Sequence, residues 1–337
     1  MNRSTSLYSG VDYHQDQPQV CVVDPSGGMR LNLPMSNDVD AVAERLRQAG
    51  PVKVVAIEAC TGASHFAEAL AALGDWRVEL AHPGYVRRLR QSPDKSDYSD
   101  ARLLADLARV GYLPRVWLAP PQVRELRQLV NHRTRYVERQ RATKLQIGAI
   151  LRDHRLKIKG SRWSQPWLMR VRDNPQLPRQ VRWIMDDLLE ELGHVQHKLR
   201  QVEGRLREAT ADNPLVHRLL KIEGVGEVTA WMLAAWIGRF DRFRTGKQLS
   251  RYCGLSPRNA SSGTRQADAG LIDAANKSLR AVLVQAAHRL IRTHKRWGAL
   301  AESMQRRGKP RCVIVAAIAN RWVRSIHHRM VRPEAQP

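Results

Sequence analysis

Between Val123 and Asp153 the chain runs without an internal proline, and its apolar residues (Leu126, Leu129, Val137, Leu145, Ile150, Leu151) recur at helical spacing. That pattern predicts one long helix. A second run, Val181 to Ala209, is also helical in period and rich in opposite charges four residues apart. Between them, Gly160 to Pro178 holds two tryptophans and three prolines and reads as a helix-to-helix turn. Two long helices joined this way predict an antiparallel coiled-coil hairpin. Its first helix is one-sidedly basic: residues 124–162 hold twelve Lys/Arg and three Asp/Glu. A solvated helical face explains the mixed charge of the second helix, but explains this excess less well.

Pro114, Pro120 and Pro121 mark a boundary ahead of the hairpin. Upstream, Leu7 to Asp12 and Gln19 to Asp24 read as strands. Pro25-Ser26-Gly27-Gly28 is a turn, and Met29 to Leu33 returns. Asn37 to Ala49 has helical spacing, with Asn37 or Asp38 as N-cap. Val52 to Glu58 is mostly β-branched and apolar, as a buried central strand should be. A helix through Phe66 to Leu73, a strand near Trp76 to Leu80 and a helix from Ser99 to Val110 follow. Three strands in meander, then alternating helix and strand, is the order of an RNase H-like domain, and other α/β folds share it. From about Pro214 a third, mostly helical section begins, and the tail after Val331 reads as disordered.

The formal net charge is +24, which implies a polyanionic partner, nucleic acid first. The most apolar run, Val228 to Ile237, is too short to cross a bilayer, so no membrane partner is expected. The N-terminal MNRSTSLYSGVDYH lacks the apolar core of a signal peptide. Cys21, Cys60, Cys253 and Cys312 form no CxxC pair and read as reduced cysteines of a cytosolic protein.

Four acids stand where a metal could use them. Asp12 ends the first strand and Glu58 the central one. If those strands are neighbours, both carboxylates leave the same sheet edge. Asp97 and Asp100, three apart at a helix start, share one helical face. Such oxygen ligands suit a pair of Mg²⁺ ions serving phosphoryl transfer. Each acid also has an ordinary reading: an N-cap for Asp97, a first-turn charge for Asp100, a turn residue for Asp12. An acid closing a buried strand is costly unless used or paired, and this arises twice. Asp94 ranks below Asp97 and Asp100.

Lys221-Ile222-Glu223-Gly224-Val225-Gly226-Glu227-Val228-Thr229-Ala230 looks like a helix-hairpin-helix. Its turn, with Gly224 and Gly226, would offer backbone N–H groups to a phosphate; a plain glycine turn between packed helices is the alternative. On the basic helix, Arg133, Arg135, Arg139 and Lys144 are the candidate phosphate contacts. Cys253-Gly254-Leu255-Ser256-Pro257-Arg258-Asn259-Ala260-Ser261-Ser262-Gly263 is a loop, followed by a helix from about Ala274 to Ile291. A loop serine is commonly a solvated turn residue, and its hydroxyl needs activation to attack anything.

The GVDYH, AIEACTGA, KSDYSDA, IEGVG and GLSPRNASSG segments occur in the order seen in DEDD-type transposases of bacterial insertion sequences, which are described as bridge-RNA-guided recombinases. The resemblance runs from about Leu7 to about Met330. It implies a RuvC-like, RNase H-like domain at residues 1–120 whose four acids match Asp12, Glu58, Asp97 and Asp100. A coiled-coil linker at 121–212 and a C-terminal transposase domain at 213–330 follow, with a tail at 331–337. It also implies a nucleophilic serine at Ser262, with Ser261 as fallback, which attacks a DNA phosphodiester to form a phosphoserine link beside Mg²⁺ or Mn²⁺. Implied partners are donor and target DNA, a structured noncoding guide RNA, and further copies of the chain in a dimer or tetramer. The implied setting is the bacterial cytoplasm, at the nucleoid. One departure stands out: where the family has a Lys-x-Gly step before the next helix, this chain reads Asp273-Ala274-Ala275 ahead of Leu279-Arg280. A Holliday-junction-type nuclease using water, and a non-catalytic nucleic-acid-binding protein, are the alternatives.

Overall fold

The computed structural model describes residues 6–89, 96–259, 268–273 and 275–332. It separates into two compact units, Met1–Ala119 and Pro120–Pro337.

The first unit is built on a six-stranded sheet. Its strands are β1 (Leu7–Asp12), β2 (Gln19–Val23), β3 (Met29–Pro34), β4 (Val52–Glu58), β5 (Arg77–Ala81) and β6 (Arg115–Val116), in the order β3-β2-β1-β4-β5-β6. β1 is antiparallel to β2 and parallel to β4, and β4 is parallel to β5. This mixed sheet fits the RNase H-like domain of a DEDD transposase. The β2–β3 turn closes because Asp24 Oδ1 accepts from the N–H groups of Ser26 and Gly28, while Gly27 takes φ 90°.

Helices cover both faces. α1 (Val39–Ala49) and α2 (Ala63–Ala72) put Val42, Leu46, Phe66 and Leu70 against Leu7, Val11, Val55 and Ile57. The N-cap of α1 is Asp38. α3 (Pro83–Leu89), like β6, has no counterpart among the sequence expectations. On the other face α4 (Asp97–Arg109) packs Ala101, Leu104, Ala105 and Leu107 against Cys21, Val23, Val54 and Ala56. The period of two along a strand decides which residues α4 meets. Tyr8, Gly10 and Asp12 point to the α4 side of β1, and Val54, Ala56 and Glu58 to the α4 side of β4.

In the second unit, α5 (Pro121–Asp153) and α7 (Arg179–Ala209) lie antiparallel. Leu126 and Val130 at the start of α5 share a core with Val202 and Leu206 at the end of α7. Ile147 and Leu151 at the other end pack with Met185, Leu189 and Leu192. The connection holds more than the expected turn. It contains α6 (Gln165–Arg172), started by Pro166 in its first turn and anchored by buried Trp167 and Val171.

The remainder is mostly helical: α8 (Pro214–Leu220), α9 (Glu227–Trp236), α10 (Gly246–Tyr252), a short hairpin of β7 (Pro257–Asn259) and β8 (Asp268–Leu271), α11 (Lys277–Thr293), α12 (Lys295–Arg306) and α13 (Arg311–Val331). α11 begins later than the expected Ala274 because Asn276 caps it, its side chain accepting from the Leu279 N–H. The apolar run Val228–Ile237 is α9 and its C-cap, buried at the centre of this core. Among the described residues no helix is long and apolar enough to cross a membrane. Of the expected tail at 331–337, Val331 closes α13 and Arg332 is its C-cap, and residues 333–337 lie outside the described residues.

Candidate functional site

Asp12 and Glu58 are the last residues of two parallel neighbours, with Val11 opposite Ile57 one step earlier. They therefore leave the sheet side by side, on the face that α4 covers. α4 lies close over β1 because Gly10 has no side chain: a Cβ there would overlap the Ala101 carbonyl and the Ala105 amide and come within 2.8 Å of Leu104 Cβ. The helix begins at Asp97 because Ser96 caps it, exchanging hydrogen bonds with Ser99. Its first turn delivers Asp97 and Asp100 to the edge where Asp12 stands.

Asp12 is buried and Asp100 more so, while Asp97 is exposed. His14 Nε2 stands 3.4 Å from Asp12 Oδ2 and 3.4 Å from Asp97 Oδ1. One ligand atom from each of Asp12, His14 and Asp97 lies within 4.8 Å of the others. Burial pushes the Asp12 carboxyl above its usual range; His14 pulls it back, and Asp100 and Asp97 push it further up. Burial also raises the Cys60 thiol, with Glu58 and Asp12 adding to the effect after it. All four acids thus bear on one neighbourhood, but the tight group holds Asp12 and Asp97 without Glu58 or Asp100.

His14 was not among the sequence candidates. Its signal was present, two residues past the strand-end acid in the same segment. Carboxylate oxygens suit Mg²⁺, and an imidazole nitrogen beside them widens the fit to Mn²⁺ and other transition ions. The donor set is that of a divalent metal site. Asp94, Ser261 and Ser262 lie outside the described residues. The base of the serine loop is described: Arg280 Nη1 donates to the Ile272 carbonyl at 2.8 Å and to the Gly254 carbonyl at 3.4 Å.

In the candidate hairpin, Gly224 takes φ 83° and Gly226 is the N-cap of α9, which has no side-chain cap. Gly224, Val225 and Gly226 line a small cleft with Arg289 and Thr293. The turn is held from outside: Trp322 Nε1 donates to the Glu223 carbonyl at 3.1 Å, and Arg207 grips the Glu227 carboxylate with Nε and Nη2, each at 2.9 Å.

The arginines of α5 divide by environment. Arg133 is tied to Glu203 of α7 through Nε at 2.9 Å and Nη2 at 2.7 Å, so it cross-links the hairpin rather than facing solvent. Arg135 and Arg139 are exposed, Arg139 over the Tyr136 ring at 5.7 Å. Lys144 lies over the Trp163 ring at 5.2 Å. Arg127 and Arg242 serve the fold: they donate to the Ala235 and Ile237 carbonyls at 2.6 and 2.9 Å, closing the C-terminal end of α9.

Comparison with known proteins gives two family matches. A transposase model of the DEDD, IS110 type matches residues 9–155, and one described as the transposase IS116/IS110/IS902 family matches residues 216–302. The chain is 26% identical to a transposase for insertion sequence element IS1111A of Coxiella burnetii, covering 92% of this chain and 86% of that one. It is 27% identical to a probable family 20 transposase of Pseudomonas aeruginosa over 84% of this chain and 85% of that one. It is 28% identical to a transposase for insertion sequence element IS1328 of Yersinia enterocolitica, over 70% of each. With one model on the domain that carries the acids and the other on the helical domain beyond the hairpin, the chain is a DNA transposase, an enzyme of phosphoryl transfer, that resembles the IS110-type transposases of insertion sequences.

Proposed function

We propose that this transposase is an RNA-guided recombinase that cleaves and exchanges DNA strands through a covalent phosphoserine link at Ser262. The observation that carries the reading is the meeting of Asp12 and Asp97, far apart in sequence, on either side of His14. Asp12, Glu58, Asp97 and Asp100 would hold the divalent ions, Mg²⁺ or Mn²⁺, with His14 beside them. Bound there, such ions supply positive charge to the phosphoryl oxygens.

The Ser262 hydroxyl attacks the phosphorus, the bond to one sugar oxygen breaks, and that oxygen leaves as a hydroxyl after taking up a proton. The phosphoester keeps the bond available for a second strand's hydroxyl, which displaces the serine. Arg280 braces the loop base while this happens. Gly224 and Gly226, in a helix-hairpin-helix, the exposed cations Arg135 and Arg139, and the half-buried Lys144 hold nucleic-acid backbone. Target choice rests on pairing with a structured noncoding RNA, in a dimer or tetramer acting at the nucleoid; the family resemblance supports these parts.

The test is a denaturing gel of labelled donor and target DNA incubated with protein, Mg²⁺ and the element's flanking RNA. A protein-linked band lost in Ser262→Ala and Asp97→Asn, and kept in Ser261→Ala, is the expected result. Cleavage with no linked band and no response to either serine would mean a water-using nuclease. A linked band without added RNA would overturn the guide.

A further inference from the structure

The closed end of the α5–α7 hairpin carries a second basic surface, separate from Arg135 and Arg139 and sharing only Lys144 with the α5 candidates. Three cations from different turns converge there. Lys144 Nζ and Arg162 Cζ lie 5.2 and 5.3 Å from the centre of the Trp163 ring, and Arg162 also lies 5.8 Å from Trp167. The guanidinium groups of Arg162 and Arg152 both overhang Gly148, 3.3 and 3.4 Å from where its Cβ would stand. Trp163, which orients two of these cations, sits at φ 70°, a conformation that non-glycine residues adopt only when their surroundings enforce it.

Next to this cluster, Arg155 turns the chain at φ 53° and residues 156–159 then alternate half-buried and exposed side chains. Leu156 and Ile158 pack into the tip core. Arg155, Lys157 and Lys159 face solvent. The exposed Lys157 and Lys159, with Arg155 at the turn before them, make a row of positive charge. The row is joined to α6 by Arg170 Nη1, which donates to the Lys159 carbonyl at 3.1 Å. Among the described residues no carboxylate is ion-paired with any cation of the cluster or the row; the acid–base pair at this tip is Arg172 with Asp186. Like charges gathered without ion-paired acids repel, and a polyanion relieves that repulsion.

We propose that this tip binds the phosphate backbone of duplex DNA, sequence-independently. The occupant follows from the chemistry. The Trp163 ring is already covered by two cations and Trp167 is buried, so the cradle offers charge rather than an open aromatic face for unpaired bases. A duplex, with its bases stacked inside and its phosphates outward, needs nothing else. This site rests on the proposed function only in assuming that the protein handles DNA.

The test uses the full chain, a short random-sequence DNA duplex and fluorescence anisotropy across a salt series. Lys157→Ala with Lys159→Ala, and separately Arg152→Ala with Arg162→Ala, are compared with the unaltered protein. Each cation removed from a phosphate should make the slope of log affinity against log salt shallower by about 0.9, so each pair by about 1.8. The Arg152/Arg162 pair touches the tip core, so its melting temperature is checked; if it falls, the exposed lysine pair decides. Unchanged slopes in the lysine pair would overturn the tip site and leave the transposase reading standing. A change seen with single-stranded DNA or RNA but not with the duplex would overturn the assigned occupant. Failure of the unaltered protein to bind any DNA would overturn this site and the proposed function together.

Discussion

Gly10 and Ala101 meet backbone to backbone: a methyl group on Gly10 would overlap the Ala101 carbonyl oxygen. This contact sets how near α4 lies to β1, and so how near Asp97 and Asp100 come to Asp12. Gly10→Ala should cost about 3 kcal/mol in urea unfolding, because the obstruction is backbone rather than a side chain that can swing away. It should also weaken divalent-metal binding in whatever folded protein remains. An unchanged unfolding midpoint would show that the helix is free to shift.

Asp12 holds a charge where burial and the acids of α4 disfavour it. Its carboxyl is pushed up in the folded chain, so the ionised form costs stability above the ordinary carboxylate range, and the cost vanishes below it. Asp12→Asn should therefore melt at a higher temperature than the unaltered protein at neutral pH without divalent ion, and no higher in acid. It should lose the metal-induced rise in melting temperature. DNA cleavage should fall by ~10³-fold or more if the ion supplies several kcal/mol. A variant that melts lower at neutral pH would show that Asp12 is a structural acid.

The two hairpin glycines should respond differently. Gly224 needs its positive φ, and a side chain there would strike Leu290. Gly224→Ala should cost about 2 kcal/mol or more. Gly226 has ordinary φ and meets only an Arg289 nitrogen at 4.0 Å. Gly226→Ala should leave the thermal midpoint nearly unchanged and weaken duplex binding by crowding the amides of the turn. Equal losses of stability in both would mark the turn as packing alone.

The Arg207–Glu227 clamp predicts a pH dependence. The Arg207 hydrogen bonds hold the Glu227 carboxyl below its ordinary range. A lowered carboxyl stabilises the fold above the unfolded value and loses that contribution as pH falls through the folded one. Glu227→Gln should lower the melting temperature at pH 7 by on the order of 1 °C, since both groups are exposed, and by progressively less as the pH is lowered through the carboxylate range. A shift that stays the same down to acid pH would trace the loss to something other than the charge.

Much of the architecture was legible in local pattern. The three N-terminal strands, the central β4 and the two long helices follow from periods of 2 and 3.6. The side-by-side exit of Asp12 and Glu58 follows from two strand ends once their pairing is known. α6 was hidden because Pro166 and Pro175 imitate a turn, and because its buried residues, Trp167 and Val171, need the α5 and α7 ends to complete their core. α3 and β6 are too short for a period to register.

By itself, the sequence determined which residues could share a face, because strand and helix periods are local properties of the chain. It therefore named Asp12, Glu58, Asp97 and Asp100 together. Only the tertiary structure decided which groups meet across distance. It brought His14 between Asp12 and Asp97, gave Arg133 to Glu203, turned Arg127 and Arg242 inward onto α9, and left Lys144, Arg152 and Arg162 at the hairpin tip with no ion-paired acid among the described residues. Ion pairs and hydrogen bonds form between side chains whose separation is set by packing, and no local period encodes that distance.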